Sequence, residues 1–252
     1  MTDVSGEAQG VRSVTRALRL LSAAARGSRT LTELAGEAGV SLSTASRLLA
    51  TLKMADYLDQ DEDGKFTPGP ELTALLYAGD RWSSIRQLAN EATTALRDEL
   101  DETTAFFVRS GNDRVCIEAA ESRRQVRRVC PPGERGPIYL GAAGKALIAF
   151  SNAEFAYLGL PAGADKFTTE SGSVRTLEAL RAECEEIRAD GIAYSGREST
   201  AESWAVAAPL YDGPRLLGVL TVIVPMTRSG DDYVNRVKRS LRVAAEKSNV
   251  RS

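Results

Sequence analysis

Apolar residues in the first third of the chain recur with a helical period. After Ser13, whose hydroxyl suits a helix start, Val14, Ala17, Leu18, Leu21 and Ala25 fall on one face, and the run stops at Gly27. A shorter run from Thr32 to Ala38 groups Leu34, Ala35 and Ala38, with Thr32 as its expected cap and Gly39 suited to a left-handed stop. Ser41 then opens a third run in which Ala45, Leu48, Leu49 and Leu52 share a face. Two short helices joined by a turn of about three or four residues containing glycine predict a helix-turn-helix. Beyond it, Tyr57 to Gln60 and Lys65 to Thr67 alternate like strands around Asp63-Gly64, a hairpin signal. Three helices followed by a β-hairpin predict a winged helix-turn-helix.

Pro68-Gly69-Pro70 breaks that pattern, and a largely helical connector follows from Glu71 to Leu100, softened at Gly79-Asp80. Leu72, Leu75, Leu76, Trp82, Ile85, Leu88, Leu96 and Leu100 keep an apolar stripe along it. The part from Ile85 reads as a helix packed on its own domain; the earlier part has little of its own to pack on. From Thr103 the period becomes mixed. Strands are predicted over 104–108, 114–119, 126–130, 191–195, 204–208 and 216–224, and helices over 142–150, 176–190 and 231–247. Turn signals such as Asp212-Gly213-Pro214 outnumber crossover spacings, so the fold class is α+β. The expected divisions are a disordered 1–10, a winged helix-turn-helix domain over 11–69, a linker helix over 70–80 and a second domain over 81–252.

Charge sharpens this division. The 252 residues hold 32 Lys plus Arg, 34 Asp plus Glu and no His, for a net of -2. The average hides an asymmetry. Between Arg12 and Lys53, seven cations (Arg12, Arg16, Arg19, Arg26, Arg29, Arg47, Lys53) face only Glu33 and Glu37, whereas Ala55 to Asp80 carries seven acids against Lys65. A local basic patch is the electrostatic footprint that a nucleic acid requires. The exposed side of the third helix carries Ser43, Thr44, Ser46 and Arg47, short polar groups plus one long cation that can reach guanine O6 and N7 in a major groove. The same side chains would also serve simply to solvate an exposed helix.

The missing His excludes Ser-His-Asp triads, Cys-His pairs and every His-containing zinc site. Three cysteines, at 116, 130 and 184, lack C-x-x-C spacing, so neither a disulfide framework nor a thiolate metal site is expected. No catalytic residue, metal or cofactor is assigned. A cysteine activated by lysine and glutamate, as in amidase-type sites, remains the enzymatic alternative, and an adaptor without a ligand is another. Gly141-Ala-Ala-Gly144-Lys145 is not a phosphate loop, because Tyr139 stands where a glycine is needed and Ala146 where a hydroxyl is needed. Its small residues suit either an anion at a helix start or close helix packing. With no apolar run of membrane-spanning length and no leader-like start, a cytoplasmic location away from membranes is expected.

Several segments resemble the IclR family of bacterial transcription regulators. They are Ser13 to Leu21, Leu31 to Ala35 and Ser43 to Leu52 in the first domain, and Pro137-Ile138-Tyr139 leading into Gly141 to Leu147, Glu198 and Ala207-Ala208-Pro209 in the second. The resemblance implies a GAF-like effector domain, a sheet with helices on one side and loops on the other. It further implies double-stranded operator DNA and a small-molecule effector as partners, and a homodimer, able to pair into a tetramer, held partly through the linker. The DNA-contacting set is then Arg12, Arg16, Ser41, Ser43, Thr44, Ser46, Arg47 and Lys53. The effector pocket would be built from Tyr139, Gly141, Ala142, Ala143, Ser195, Trp204, Ala205, Thr221 and Ile223. Relatives that take very small acids have Cys at 205 and Ser at 221 and 223. Ala205, Thr221 and Ile223, with Trp204 alongside, point to a larger, partly apolar and even aromatic organic acid acting on a repressor.

Overall fold

The computed structural model describes residues 11–27, 29–77, 80–151, 158–160 and 163–249; the expected disorder of 1–10 and the soft point at Gly79 lie outside them. The chain divides into two compact units at Ser83/Ser84.

The first unit contains α1 (Arg12–Ala24), α2 (Leu31–Ala38), α3 (Leu42–Met54), an antiparallel hairpin of β1 (Leu58–Gln60) and β2 (Phe66–Pro68), and α4 (Pro70–Tyr77). Leu20, Ala24, Leu34, Ala45, Leu49 and Leu58 form its core, all but fully buried. This is the winged helix-turn-helix. Two local expectations need correction. α1 begins one residue after Val11 with no side-chain cap, so Ser13 is inside the helix; its buried face is Leu20, Ala23 and Ala24, while Val14 and Leu18 are exposed. The apolar run 17–25 offers two overlapping stripes, and contact with α2 and α3 selects one. α2 is capped by Thr30 instead of Thr32, because only Thr30 has a glutamate three residues on: the Thr30 hydroxyl accepts from Glu33 N–H while the Glu33 carboxylate accepts from Thr30 N–H at 2.8 Å. Gly39 ends α2 at φ 65° and Ser41 caps α3, both as expected.

The second unit has one six-stranded antiparallel sheet in the order β5 (Arg135–Pro137), β4 (Asp113–Ala120), β3 (Thr103–Ser110), β10 (Arg215–Pro225), β9 (Ser203–Asp212), β8 (Ala193–Gly196). A separate hairpin of β6 (Lys166–Thr168) and β7 (Val174–Thr176) was not foreseen. Helices cover both faces of the sheet, which corrects the one-sided arrangement. α6 (Gly141–Phe150) and α7 (Leu177–Asp190) pack on one face with Ala105, Phe107, Ala207 and Val219. α5 (Asp80–Leu100) and α8 (Asp231–Ser248) pack on the other with Phe106, Trp204, Val206 and Val222. The period-two alternation of β9 and β10 assigns each residue to its core. The predicted strand over 126–130 is irregular: the arginines around it are held by carboxylates, Arg123 by Asp98 (2.9 Å) and Arg128 by Glu134 (3.1 Å), and Thr103 Oγ1 donates to Arg128 O at 2.6 Å.

α6 is apolar on every side except at Lys145 and is nearly entirely buried, as such a helix must be. Its closest approach is at Gly144, where a Cβ would stand 2.1 Å from the Ile138 carbonyl oxygen. Close packing therefore explains this glycine. Gly144→Ala is expected to cost about 1–3 kcal/mol, measured as a loss in denaturant unfolding.

Candidate functional site

Two sites emerge, one in each unit. In the first, α1 and α3 flank a groove bordered by Arg12, Ser13, Arg16, Thr44, Arg47 and Thr51. Folding sorts the cations of this unit. Arg26 and Arg29 both ion-pair with Glu37, whereas Arg12, Arg16, Arg19, Arg47 and Lys53 have no carboxylate partner among the described residues. The unneutralised charge thus lies on α1 and α3, where a phosphate backbone can use it. Ser43 and Ser46 are exposed on α3, and Lys53 Nζ donates to Gln60 Oε1 of the wing at 3.2 Å. Ser41 is occupied as a cap: its Oγ donates to Thr44 Oγ1 at 2.9 Å and accepts from Thr44 N–H at 3.3 Å.

In the second unit a cavity lies between the sheet and the start of α6. One wall is Gly141, Ala142 and Ala143; the floor is Phe107, Ala205, Thr221 and Ile223; Ser195 and Ser199 border it on the β8 side. A helix start leaves four amides without intrahelical partners. Here Leu140 N–H donates to Pro137 O (3.2 Å) and Gly141 N–H to Glu198 Oε2 (3.2 Å), and the amides of Ala142 and Ala143 remain beside the cavity. The Thr221 hydroxyl is buried, bordering the same space, with no hydrogen-bond partner among the described residues. The space open to the centre of a water-sized sphere is about 40 Å³. That is room for about three waters, at roughly 10–15 Å³ for one.

Behind the helix start sits a buried ion network. Lys145, fully buried, donates to Glu183 at 2.5 Å and to Glu198 at 2.6 Å, and Arg175 contacts the same two carboxylates at 2.7 and 3.1 Å. Two cations thus balance two anions, and the pairing places Glu198 on the Gly141 amide. Cys184 lies beside this network, a proximity invisible in sequence. Its thiol is directed to the Lys145 carbonyl oxygen at 3.8 Å and not to the ammonium, and burial pushes the thiol up to about 11. Since the thiolate is the nucleophile, this is a poor start for amidase chemistry. A maleimide at pH 8 should leave Cys184 unlabelled in the folded protein and label it in urea; rapid labelling of the native state would contradict this geometry.

Residues 81–250 match the profile of the bacterial transcriptional regulator IclR C-terminal domain, and residues 13–62 that of the IclR helix-turn-helix domain. The chain belongs to the IclR family. Rv1719, an HTH-type transcriptional regulator of Mycobacterium tuberculosis, is 30% identical over 87% of this chain and 84% of its own. XynR, an HTH-type transcriptional regulator of Escherichia coli, is 28% identical over 93% and 94%. An IclR transcriptional regulator from Silicibacter sp. TM1040 superposes with a TM-score of 0.82 at 26% identity, covering 94% of both chains. An IclR homologue from Microbacterium hydrocarbonoxydans, complexed with 4-hydroxybenzoate, shares the fold at a TM-score of 0.75 and 21% identity, over 94% of this chain and 98% of that one. The protein is accordingly an HTH-type, DNA-binding transcriptional regulator, a class that does not in general catalyse reactions. No helix among the described residues is long and apolar enough to cross a membrane.

Of the pocket residues that the IclR resemblance selected, Gly141, Ala142, Ala143, Ser195, Ala205, Thr221 and Ile223 do border one cavity. Tyr139 does not; its ring packs on Phe167 with centroids 5.0 Å apart. Trp204 borders the cavity, yet its indole belongs to the opposite core, where Nε1 donates to Arg228 O at 2.9 Å. Adjacent strand positions face opposite sides, so Ala205 and Trp204 cannot both present side chains to one pocket. Sequence reasoning missed Arg114, Arg128 and Glu134, which also border the cavity. Arg128 and Glu134 lie in and beside the segment misread as a strand, and no periodicity marks an arginine on β4 as facing inward.

Proposed function

We propose that this IclR-family protein is a ligand-responsive repressor whose second unit binds a small organic acid. The observation that carries the reading is Thr221: a buried hydroxyl without a partner costs about 1–3 kcal/mol, and it borders the cavity with the Ala142 and Ala143 amides. A carboxylate there would accept from both. The Microbacterium homologue holds 4-hydroxybenzoate, so aromatic acids belong among the candidates. At about 40 Å³ the cavity suits a small acid as it stands, and an aromatic one requires its lining to move apart. On DNA, Arg47 reads bases, helped by Ser43, Thr44 and Ser46, while Arg12, Arg16 and Lys53 meet phosphates. Ser41, already engaged as a cap, orders the helix start. A dimer presents two such heads to two half-sites. Half-exposed Leu75, Leu76 and Trp82 around the 70–80 linker suit pairing with a second copy. The acid shifts the dimer between DNA-binding arrangements by its differential affinity for them.

The test is a gel shift on DNA upstream of the protein's own gene, with and without a panel of acids including 4-hydroxybenzoate and glyoxylate. Retardation relieved by an acid in the wild type and not in Thr221→Val supports the reading. No sequence-specific retardation, or relief that Thr221→Val leaves unaltered, overturns it.

A further inference from the structure

Arg114 borders the cavity without an ion-paired carboxylate of its own among the described residues; Glu134, the nearest influence of opposite sign, is paired with Arg128. It borders the cavity from β4, with its guanidinium carbon 5.9 Å from the centroid of Phe107 on the cavity floor. Its one hydrogen bond among the described residues is from Nη1 to Pro137 O at 2.9 Å, and no carboxylate there comes within ion-pair distance. The neighbouring charges are spoken for: Arg128 holds Glu134 through contacts of 3.1 and 3.3 Å, and Arg135 holds Asp113 at 3.1 Å. Gly136, paired opposite Arg114 on β5, lets the guanidinium pack against its backbone; a Cβ there would stand 2.4 Å from Nη1. Burial lowers the arginine's pKa from its usual value, but an arginine in a protein remains cationic.

The strand order sets Arg114 apart from the Thr221 end. β3 lies between β4 and β10, so two strand spacings, about 9–10 Å, separate the lines on which Arg114 and Thr221 sit, and their partners Arg109 and Ala105 on β3 set them a further four residues, about 13 Å, apart along the strand. The cavity thus has a polar, anion-accepting end at the α6 start with Thr221, an apolar middle at Phe107, and a second cationic end at Arg114. We propose that the ligand of this cavity is an acid with two anionic groups, a dicarboxylate in the simplest case, and that Arg114 selects it over monoacids by gripping the second group. A guanidinium is suited to this task because its planar fork donates two parallel hydrogen bonds to a carboxylate. The inference rests on the effector-site reading above and adds the class of ligand.

Calorimetry on the full chain distinguishes the two. Matched probes are glutarate against pentanoate and terephthalate against benzoate. In the wild type at least one diacid should bind ten-fold or more tighter than its monoacid. Arg114→Gln should erase that preference by weakening the diacid far more than the monoacid, and Arg114→Lys should retain part of it. Thr221→Val should weaken both members of a pair. Equal affinities within both pairs, or a diacid preference that survives Arg114→Gln in a variant with the wild-type circular dichroism, overturn the role of Arg114 and leave the effector site standing. If none of the four acids binds, both readings fall together.

Discussion

Lys145→Met is expected to lower the stability of the second unit by about 3 kcal/mol or more. The lysine has no solvent exposure and is the only charged side chain of α6, so its ammonium survives burial only through Glu183 and Glu198. Methionine preserves most of the volume and none of the charge, leaving two carboxylates to share Arg175. Removing one member of a buried ion set costs about 3–5 kcal/mol because the partners remain buried and uncompensated. Arg175 stays in contact with both, which places the outcome near the lower end. Urea unfolding followed by Trp204 fluorescence in a Trp82→Phe background reports on this unit, since Trp204 is buried within it. Adding Glu198→Gln should recover part of the loss. Full stability of Lys145→Met would mean that the network contributes nothing. A functional effect should accompany the structural one: Glu198 caps Gly141 at the edge of the ligand cavity, so loosening it disturbs the start of α6.

Arg47→Ala is expected to weaken specific operator binding by about 1–3 kcal/mol, roughly five- to 150-fold, and to relax selectivity at the contacted base pair. Arg47 is exposed on α3, is not ion-paired among the described residues, and shares a groove with Arg12 and Arg16 of α1. Arg16→Ala should behave differently. A phosphate contact carries no sequence information, so its loss lowers affinity for all sequences and reduces the dependence of log affinity on log salt by about one. Titrations of operator and scrambled DNA at several salt concentrations separate the two behaviours. Unchanged affinity and selectivity in Arg47→Ala would place base reading elsewhere on α3.

The reader unit was largely legible because its signals are local. Capping at Ser41, the left-handed stop at Gly39 and the Asp63-Gly64 turn each depend on residues a few positions apart, and each is present in the structure. Where a side-chain bond decides, the local pattern misleads. The pattern placed the α2 cap at Thr32, and the reciprocal bond with Glu33 puts it at Thr30. The cavity was only half legible. Its α6 wall and its Thr221 and Ile223 floor were implied only by the resemblance to the IclR family, and the side on which Trp204 falls depends on strand pairing, which a list of neighbouring residues does not reveal.

By itself the sequence determined the winged helix-turn-helix, the α+β second unit and a concentration of positive charge near the N-terminus, because helix period, turn chemistry and charge counts are properties of adjacent residues. Tertiary structure alone decided which cations are spent on Glu37 and which remain for DNA, that helices cover both faces of the sheet, and that Lys145, Glu183, Glu198 and Arg175 meet in one buried cluster. It also decided that Arg114 borders the cavity at the start of α6. These are encounters between residues tens of positions apart, and a charge's effect depends on what stands within a few ångströms of it in space.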